Sequence, residues 1–246
     1  MKVAILQYDI KWEDKEVNKK KILMLLDSNK MNGVDWLILP EMTLTGFSMD
    51  TSKTTLTDGD IEFFKDLATK YSCFISFGGV VNKNNRSITV APSREIKNEY
   101  SKIHLFSYAS EREHYNAGRL TEYFDIKDMV VMPCVCYDLR FPYLFWDNAG
   151  DTDVFFVIAS WPSTRTEHWR ALLKARAIEN QSYMIGVNRI GRDAKLSYDG
   201  ASCVYGPFGE EILDCKNDEG VFTVELKSEE VQKIRAQFPF HNDRLK

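Results

Sequence analysis

Short apolar segments recur along this chain, and only some are separated by stretches with helical spacing; that arrangement limits the fold more than any other feature. Lys2–Gln7, Trp36–Leu39, Cys73–Val81, Ser87–Ala91, Val130–Val135, Val154–Ala159, Tyr183–Val187, Ala201–Tyr205 and Val221–Leu226 read as strands, since most are brief and rich in β-branched or aromatic residues. The polar stretch Asn82–Asn85 lies between two of them and predicts a hairpin. Helical spacing occurs over Glu16–Asn29 and over Asp60–Tyr71, the latter through Ile61, Phe64 and Leu67. Thr164 and Glu167 stand at capping-box spacing, after which Trp169, Leu172, Leu173 and Ala177 share one face, opposite Glu167, Arg170 and Lys174. A last helix is expected over about 228–238, burying Val231, Ile234 and Phe238 and ending at Pro239. This mixture predicts an α/β protein with a mixed sheet or paired sheets. A doubly wound parallel sheet needs a helix between nearly every strand, which the hairpin contradicts. No repeat or Gly/Ser linker divides the chain, so residues 1–246 are read as a single domain.

Several classes fall away. A net charge of −4 makes a poor nucleic-acid binder, because phosphate contacts need a basic face, and the Lys19–Lys21 run beside Ile22 and Leu23 reads as a solvated helix face. The apolar runs are far shorter than the ~20 residues of a membrane span. No basic stretch and small-residue cleavage site frame Val3–Leu6 as a signal peptide, so the cytoplasm is expected. Five scattered cysteines are not a disulfide framework. Cys134 and Cys136 form C-x-C rather than a zinc or redox C-x-x-C, and the four histidines lack metal-ligand spacing. No metal or other cofactor is expected. Gly78-Gly79 reads as a turn or a close backbone approach.

Three polar residues stand where strands end. Glu41 follows Trp36–Leu39 and Pro40, Lys102 follows Glu99-Tyr100-Ser101, and Cys136 follows Val130–Val135. Ligand-facing side chains collect at such positions in α/β folds. Each alone has an ordinary explanation: a solvated carboxylate, a surface lysine, a core thiol. Together they suffice for amide hydrolysis. A thiol attacks as its thiolate and needs a base, which a buried Glu41 supplies. The tetrahedral oxyanion needs positive charge and donors, from Lys102 and a backbone N–H after the nucleophile. The protonated Glu41 then returns its proton to the leaving amine. A Cys/His dyad through His104 or His168 is conceivable but unnecessary.

The segments Leu39-Pro40-Glu41-Met42, Lys102-Ile103-His104-Leu105-Phe106 and Cys136-Tyr137-Asp138-Leu139-Arg140-Phe141-Pro142, in that order, resemble the signature segments of the nitrilase (carbon–nitrogen hydrolase) superfamily. The resemblance runs from Val3 to about Phe222. It implies a Glu41–Lys102–Cys136 triad on a four-layer α-β-β-α sandwich, and protomers paired as a homodimer, to which the C-terminal helix is expected to contribute. It also implies a second site glutamate, matched by Glu111 with Glu113 as rival. The stretch Asn84–Arg94 departs from the family's usual hairpin.

A narrower likeness lies in His114-Tyr115-Asn116-Ala117-Gly118, Trp161-Pro162, His168-Trp169 and Ala175–Gln181, which resemble the bacterial omega-amidase branch. That branch implies a small-molecule substrate: a short 2-oxo acid with a terminal carboxamide, such as 2-oxoglutaramate or 2-oxosuccinamate, hydrolysed through a cysteine thioester. The alternatives are an amidohydrolase acting on N-carbamoyl compounds or other linear amides, and a binding protein that has lost catalysis. The last is disfavoured by the presence of all three triad residues. Tyr137, beside the nucleophile, and Trp161, at the end of a strand, are expected to line the pocket. For Phe141, Phe145 and Trp169 core packing is the expectation. The substrate carboxylate needs a cation, and Arg165, entering the helix after Trp161, is the candidate. Arg140 is the rival, read as structural.

Overall fold

The computed structural model describes residues 1–27 and 31–244. Twelve strands form two six-stranded sheets. The first contains β1 (Lys2–Gln7), β2 (Trp36–Ile38), β3 (Phe74–Val81), β4 (Asn84–Val90), β5 (Ile96–Ser101) and β14 (Gly220–Glu225), in the order β14-β1-β2-β3-β4-β5. Its centre, β1-β2-β3, is parallel, and the other pairings are antiparallel. The second contains β6 (Phe124–Ile126), β7 (Met129–Val135), β8 (Val154–Ala159), β9 (Tyr183–Asn188), β12 (Cys203–Tyr205) and β13 (Glu211–Asp214), in the order β13-β12-β9-β8-β7-β6. Here β7-β8-β9 are parallel. A separate ribbon pairs β10 (Ile190–Arg192) with β11 (Ser197–Asp199).

Alternation of side chains along each strand explains the layers. Val3 and Ile5 of β1 point between the sheets, where they meet Val131, Val135, Phe156, Ile158 and Ile185. Ala4 and Leu6 point the other way, onto Ile22 and Leu26 of α1 (Lys15–Leu26) and Phe64 and Leu67 of α3 (Asp58–Tyr71). On the far side, Met132, Phe155, Val157 and Met184 meet Leu144 and Phe145 of α5 (Pro142–Trp146) and Trp169, Leu173 and Ala177 of α6 (Thr166–Asn180). The chain is thus a four-layer α-β-β-α sandwich, as the resemblance implies. Both faces of both sheets are covered, which is why the central strands read as continuous apolar runs. Short helices α2 (Thr51–Thr54) and α4 (Glu111–His114) and a last helix, α7 (Ser228–Gln237), complete the set. No helix among the described residues is long and apolar enough to cross a membrane.

The structure corrects several boundaries. The first helix starts at Lys15, with Asp14 capping Val17 N–H, and is assigned to Leu26; the expected end at Asn29 lies outside the described residues. The hairpin turn is only Asn82 and Lys83, both at positive φ, so β4 begins at Asn84. Helix α6 starts at Thr166 and not through a Thr164–Glu167 box. Ser163–Arg165 form a 3₁₀ turn, closed by the Thr166 hydroxyl on the Ser163 carbonyl, and the N-cap position falls on Arg165, so Thr164 is one residue too early to cap. In α7, Val231 is buried but Phe238 is 61% exposed: it leaves the helix at φ −138 and packs edge-on against Phe240. The strands β5, β6, β10, β11 and β13 were outside the expected set. They are edge or ribbon strands, short or polar (Lys97, Asn98 and Glu99 in β5), and carry little apolar signal.

Candidate active site

The carboxyl ends of the parallel strands converge on one pocket. Glu41 follows β2, Lys102 follows β5, Cys136 follows β7, and Ser160 and Trp161 follow β8. The first two come from one sheet and the rest from the other. The inner pocket, about 60 Å³, is lined by Lys102, Cys136, Tyr137, Ser160, Trp161 and both Arg140 and Arg165, among others. It opens beside a cleft of about 590 Å³ that shares Phe106, Arg165 and Tyr198 with it.

Glu41, Lys102 and Glu111 are fully buried. Lys102 Nζ donates to Glu41 Oε1 at 3.0 Å and to Glu111 Oε2 at 2.9 Å, and it lies 5.1 Å from the centre of the Phe47 ring. Glu41 Oε2 accepts the Ser160 N–H at 2.9 Å, and Glu111 Oε2 accepts the Phe106 N–H at 2.6 Å. Glu113, the rival, is exposed. Burial works against the charge on Lys102, but Glu111 and Glu41 overcome it, so its pKa lies above that of an ordinary lysine.

Cys136 is half-buried and adopts φ +46, a left-handed conformation that a non-glycine residue takes only under constraint. The constraint is visible. Asp138, fully buried, accepts the Val135 N–H at 3.0 Å, the Tyr100 hydroxyl at 2.8 Å and the His104 N–H at 2.9 Å, which locks the 3₁₀ turn of Cys136–Arg140. Burial, then the Glu41 charge, push the Cys136 thiol pKa well up, against the pull of Lys102. The resting group is a neutral thiol that needs a base. His104 does not serve: its ring pairs with Asp138 and Tyr143 and stacks on Phe141 at 3.7 Å. His168 is exposed beside Arg140, and neither histidine lines the pocket. Cys134 is core, as expected. Phe145 and Trp169 are core too, whereas Phe141 is only partly buried, held by the His104 ring and 5.2 Å from that of Tyr137.

The expected lining residues are brought together. Trp161 is held by Asn188, which accepts its N–H at 2.7 Å and donates to its carbonyl at 3.0 Å; its indole donates to the Arg165 carbonyl at 2.8 Å. Arg165 lies over Phe106 and Arg140 over Trp161, 5.8 and 4.7 Å from the ring centres, and neither has a carboxylate within ion-pair distance among the described residues. Arg140 therefore lines the pocket as well and is not confined to a structural role.

Two features escaped sequence reasoning, and a third was only partly foreseen. Asn85 of β4, fully buried, donates to Glu41 Oε1 at 2.8 Å and to Glu111 Oε1 at 2.9 Å. The Ser160 hydroxyl is buried in the pocket wall with no partner among the described residues. Gly78 lies inside β3, where a Cβ would stand 2.5 Å from Met42 N and 2.7 Å from Glu41 Cα, so only glycine lets the Glu41 backbone approach the strand. Of these, only the glycine left a mark, as a candidate close approach. No group of three or more His, Cys, Asp or Glu among the described residues is placed to hold a metal.

A buried carboxylate–ammonium cluster thus stands beside a constrained thiol at the strand ends of a four-layer sandwich. Residues 2–236 match the carbon–nitrogen hydrolase family, and the chain belongs to it. It is 35% identical to the omega-amidase YafV of Yersinia enterocolitica, over 99% of this chain and 96% of that one. It is 29% identical to the 2-oxoglutaramate amidase of Bacillus subtilis, over 98% and 96%. Among solved structures, XC1258 from Xanthomonas campestris, a CN-hydrolase superfamily protein with an arsenic adduct in its active site, superposes with a TM-score of 0.94 at 29% identity, covering 100% of this chain and 97% of that one. The chain is a hydrolase of carbon–nitrogen bonds, an amidase similar to the bacterial omega-amidases.

Proposed function

We propose that the chain hydrolyses the terminal carboxamide of a short 2-oxo acid, with 2-oxoglutaramate the first choice, through a thioester on Cys136. The observation that carries this reading is the buried cluster in which Lys102 lies 3.0 Å from Glu41 and 2.9 Å from Glu111 at the pocket where Cys136 opens. Glu41 takes the thiol proton and Cys136 Sγ attacks the amide carbon. Lys102 and the Tyr137 backbone N–H stabilise the oxyanion. As the C–N bond breaks, Glu41 returns its proton to the nitrogen and ammonia leaves. Water, deprotonated by Glu41, then cleaves the thioester and frees the thiol. During acylation the thiol proton passes through Glu41 to the nitrogen and departs with ammonia, so the Glu41, Lys102 and Glu111 side chains end the step with the charges they had at its start.

The substrate class is supported by the 2-oxoglutaramate amidase relative and by the two arginines facing the pocket without carboxylate partners. A desolvated substrate carboxylate needs such a cation. Ammonia release from a panel of 2-oxo acid amides, neutral amides and N-carbamoyl acids tests the reading, with Cys136→Ala as blank. Turnover of N-carbamoyl acids with none of any 2-oxo acid amide would select the other reading. Within the panel, Arg165→Met is expected to raise KM for 2-oxoglutaramate by 10-fold or more (~1.4 kcal/mol or above) with much less effect on a neutral amide. Equal losses on both would reject the clamp, and the same comparison for Arg140→Met shows whether the rival carries the carboxylate. The reading includes a homodimer, supported by the exposed Phe238 at the end of the C-terminal helix.

A further inference from the structure

We propose that Asn85 is a positioning residue that fixes Glu41 Oε1 and directs the thiol proton to Glu41 Oε2. This rests on the roles proposed above for Glu41 and Cys136. Four atoms form a ring: Lys102 Nζ, Glu41 Oε1, Asn85 Nδ2 and Glu111 Oε1. The amide donates at 2.8 and 2.9 Å, and the ammonium at 3.0 and 3.1 Å. Both amide contacts are to carboxylate oxygens, which fixes the amide orientation, since a reversed Asn85 would set Oδ1 against them. Oδ1 itself is buried with no partner among the described residues. An unpaired buried acceptor is a cost, and here it accompanies two charge-assisted donations on the other side.

The ring constrains the chemistry. Both N–H bonds of Asn85 and the Lys102 ammonium point at the Oε1 atoms, so a proton on either Oε1 would collide with donors. Glu111 Oε2 is taken by the Phe106 N–H and by Lys102. Glu41 Oε2 has only the Ser160 N–H, and Ser160 also lines the pocket with Cys136. It is the oxygen left for the proton. The titratable groups facing Glu41 are Lys102 after β5, Glu111 on α4, Cys136 after β7 and Tyr115 after α4; burial pushes the Tyr115 pKa up to about 12, so that hydroxyl stays neutral. Asn85 is the uncharged donor in this set. Removing it takes a hydrogen-bond donor from the group that accepts the thiol proton, and the pH dependence of reaction at Cys136 should respond.

The test compares wild type, Asn85→Leu, which has similar volume and no donor, and Asn85→Ser, which keeps one. Two profiles are read from pH 5 to 9: kcat/KM for ammonia release, and the rate of Cys136 alkylation by iodoacetamide. In Asn85→Leu the acid limb of both is expected to move up by about one unit, with kcat about 10-fold lower and KM little changed; Asn85→Ser should shift less. If Asn85→Leu does not fold, Asn85→Ser decides alone. An unmoved limb in a folded variant, or a loss confined to KM, overturns the proposal. Alkylation needs no substrate, so a wrong substrate class shows as absent ammonia release with the alkylation limb still displaced.

Discussion

Cys136→Ala should release no measurable ammonia from any amide, while Cys134→Ala should keep most of the wild-type rate. The two thiols are two residues apart, but Cys134 lies within β7 whereas Cys136 follows its end, at positive φ in the 3₁₀ turn. Cys134 points into the layer between the second sheet and its helices and is fully buried, and burial holds its thiol far above the usual range. Cys136 opens on the pocket. Cys73, Cys203 and Cys215 are buried as well, so iodoacetamide should label Cys136 first, as peptide mass mapping would read. Losing the Cys134 sulfur removes packing volume and should cost at most ~1–2 kcal/mol of stability, without touching chemistry. Retained turnover in Cys136→Ala, or a dead but folded Cys134→Ala, would displace the nucleophile.

Lys102→Met and Glu41→Gln should each lower kcat by ~10²–10³ or more, for different reasons. Methionine removes the charge that stabilises the oxyanion. Glutamine keeps the shape of Glu41 but cannot take the thiol proton, so Glu41→Gln should also slow alkylation of Cys136 by iodoacetamide. Their stabilities should differ. Lys102→Met leaves Glu41 and Glu111 buried without their cation, a loss on the order of 3–5 kcal/mol, visible as a lowered Tm. In the wild type the folded pKa of Lys102 lies above the ordinary 10.5. Its stabilisation is therefore complete below that pH and lost only as pH rises through the folded value. Changes between pH 5 and 9 must come from other groups. Near-wild-type kcat in either variant would sink the triad.

The central strands were legible because both faces are covered, which writes an unbroken apolar run into β7, β8 and β9. The peripheral strands were not: in β5, Lys97 and Glu99 face solvent, and nothing in that stretch distinguishes a strand from a loop. Glu41 and Cys136 could be singled out because each follows an apolar strand, and Lys102 because amide chemistry with those two asks for a cation and the run Lys102–Phe106 matches a signature segment. Asn85 could not be. Its role depends on how far the hairpin pairs, since a one-residue slip would turn its amide away from both glutamates. Asp138 was hidden for a related reason. Its partners Tyr100, His104 and Val135 come from two different sheets, and no local pattern announces that meeting. Arg140 was read as scaffold because it sits in the shared segment, yet its side chain reaches the pocket over Trp161.

Glu41 and Lys102 follow strands of one sheet, and Cys136, Ser160 and Trp161 follow strands of the other. Neither half of the chain holds a partial catalyst that the other merely improves. An intermediate with every strand and helix formed but the two sheets not yet docked would be inert. Catalytic competence on this reading requires the two sheets to be docked, and a chain whose interior is open cannot consume amides.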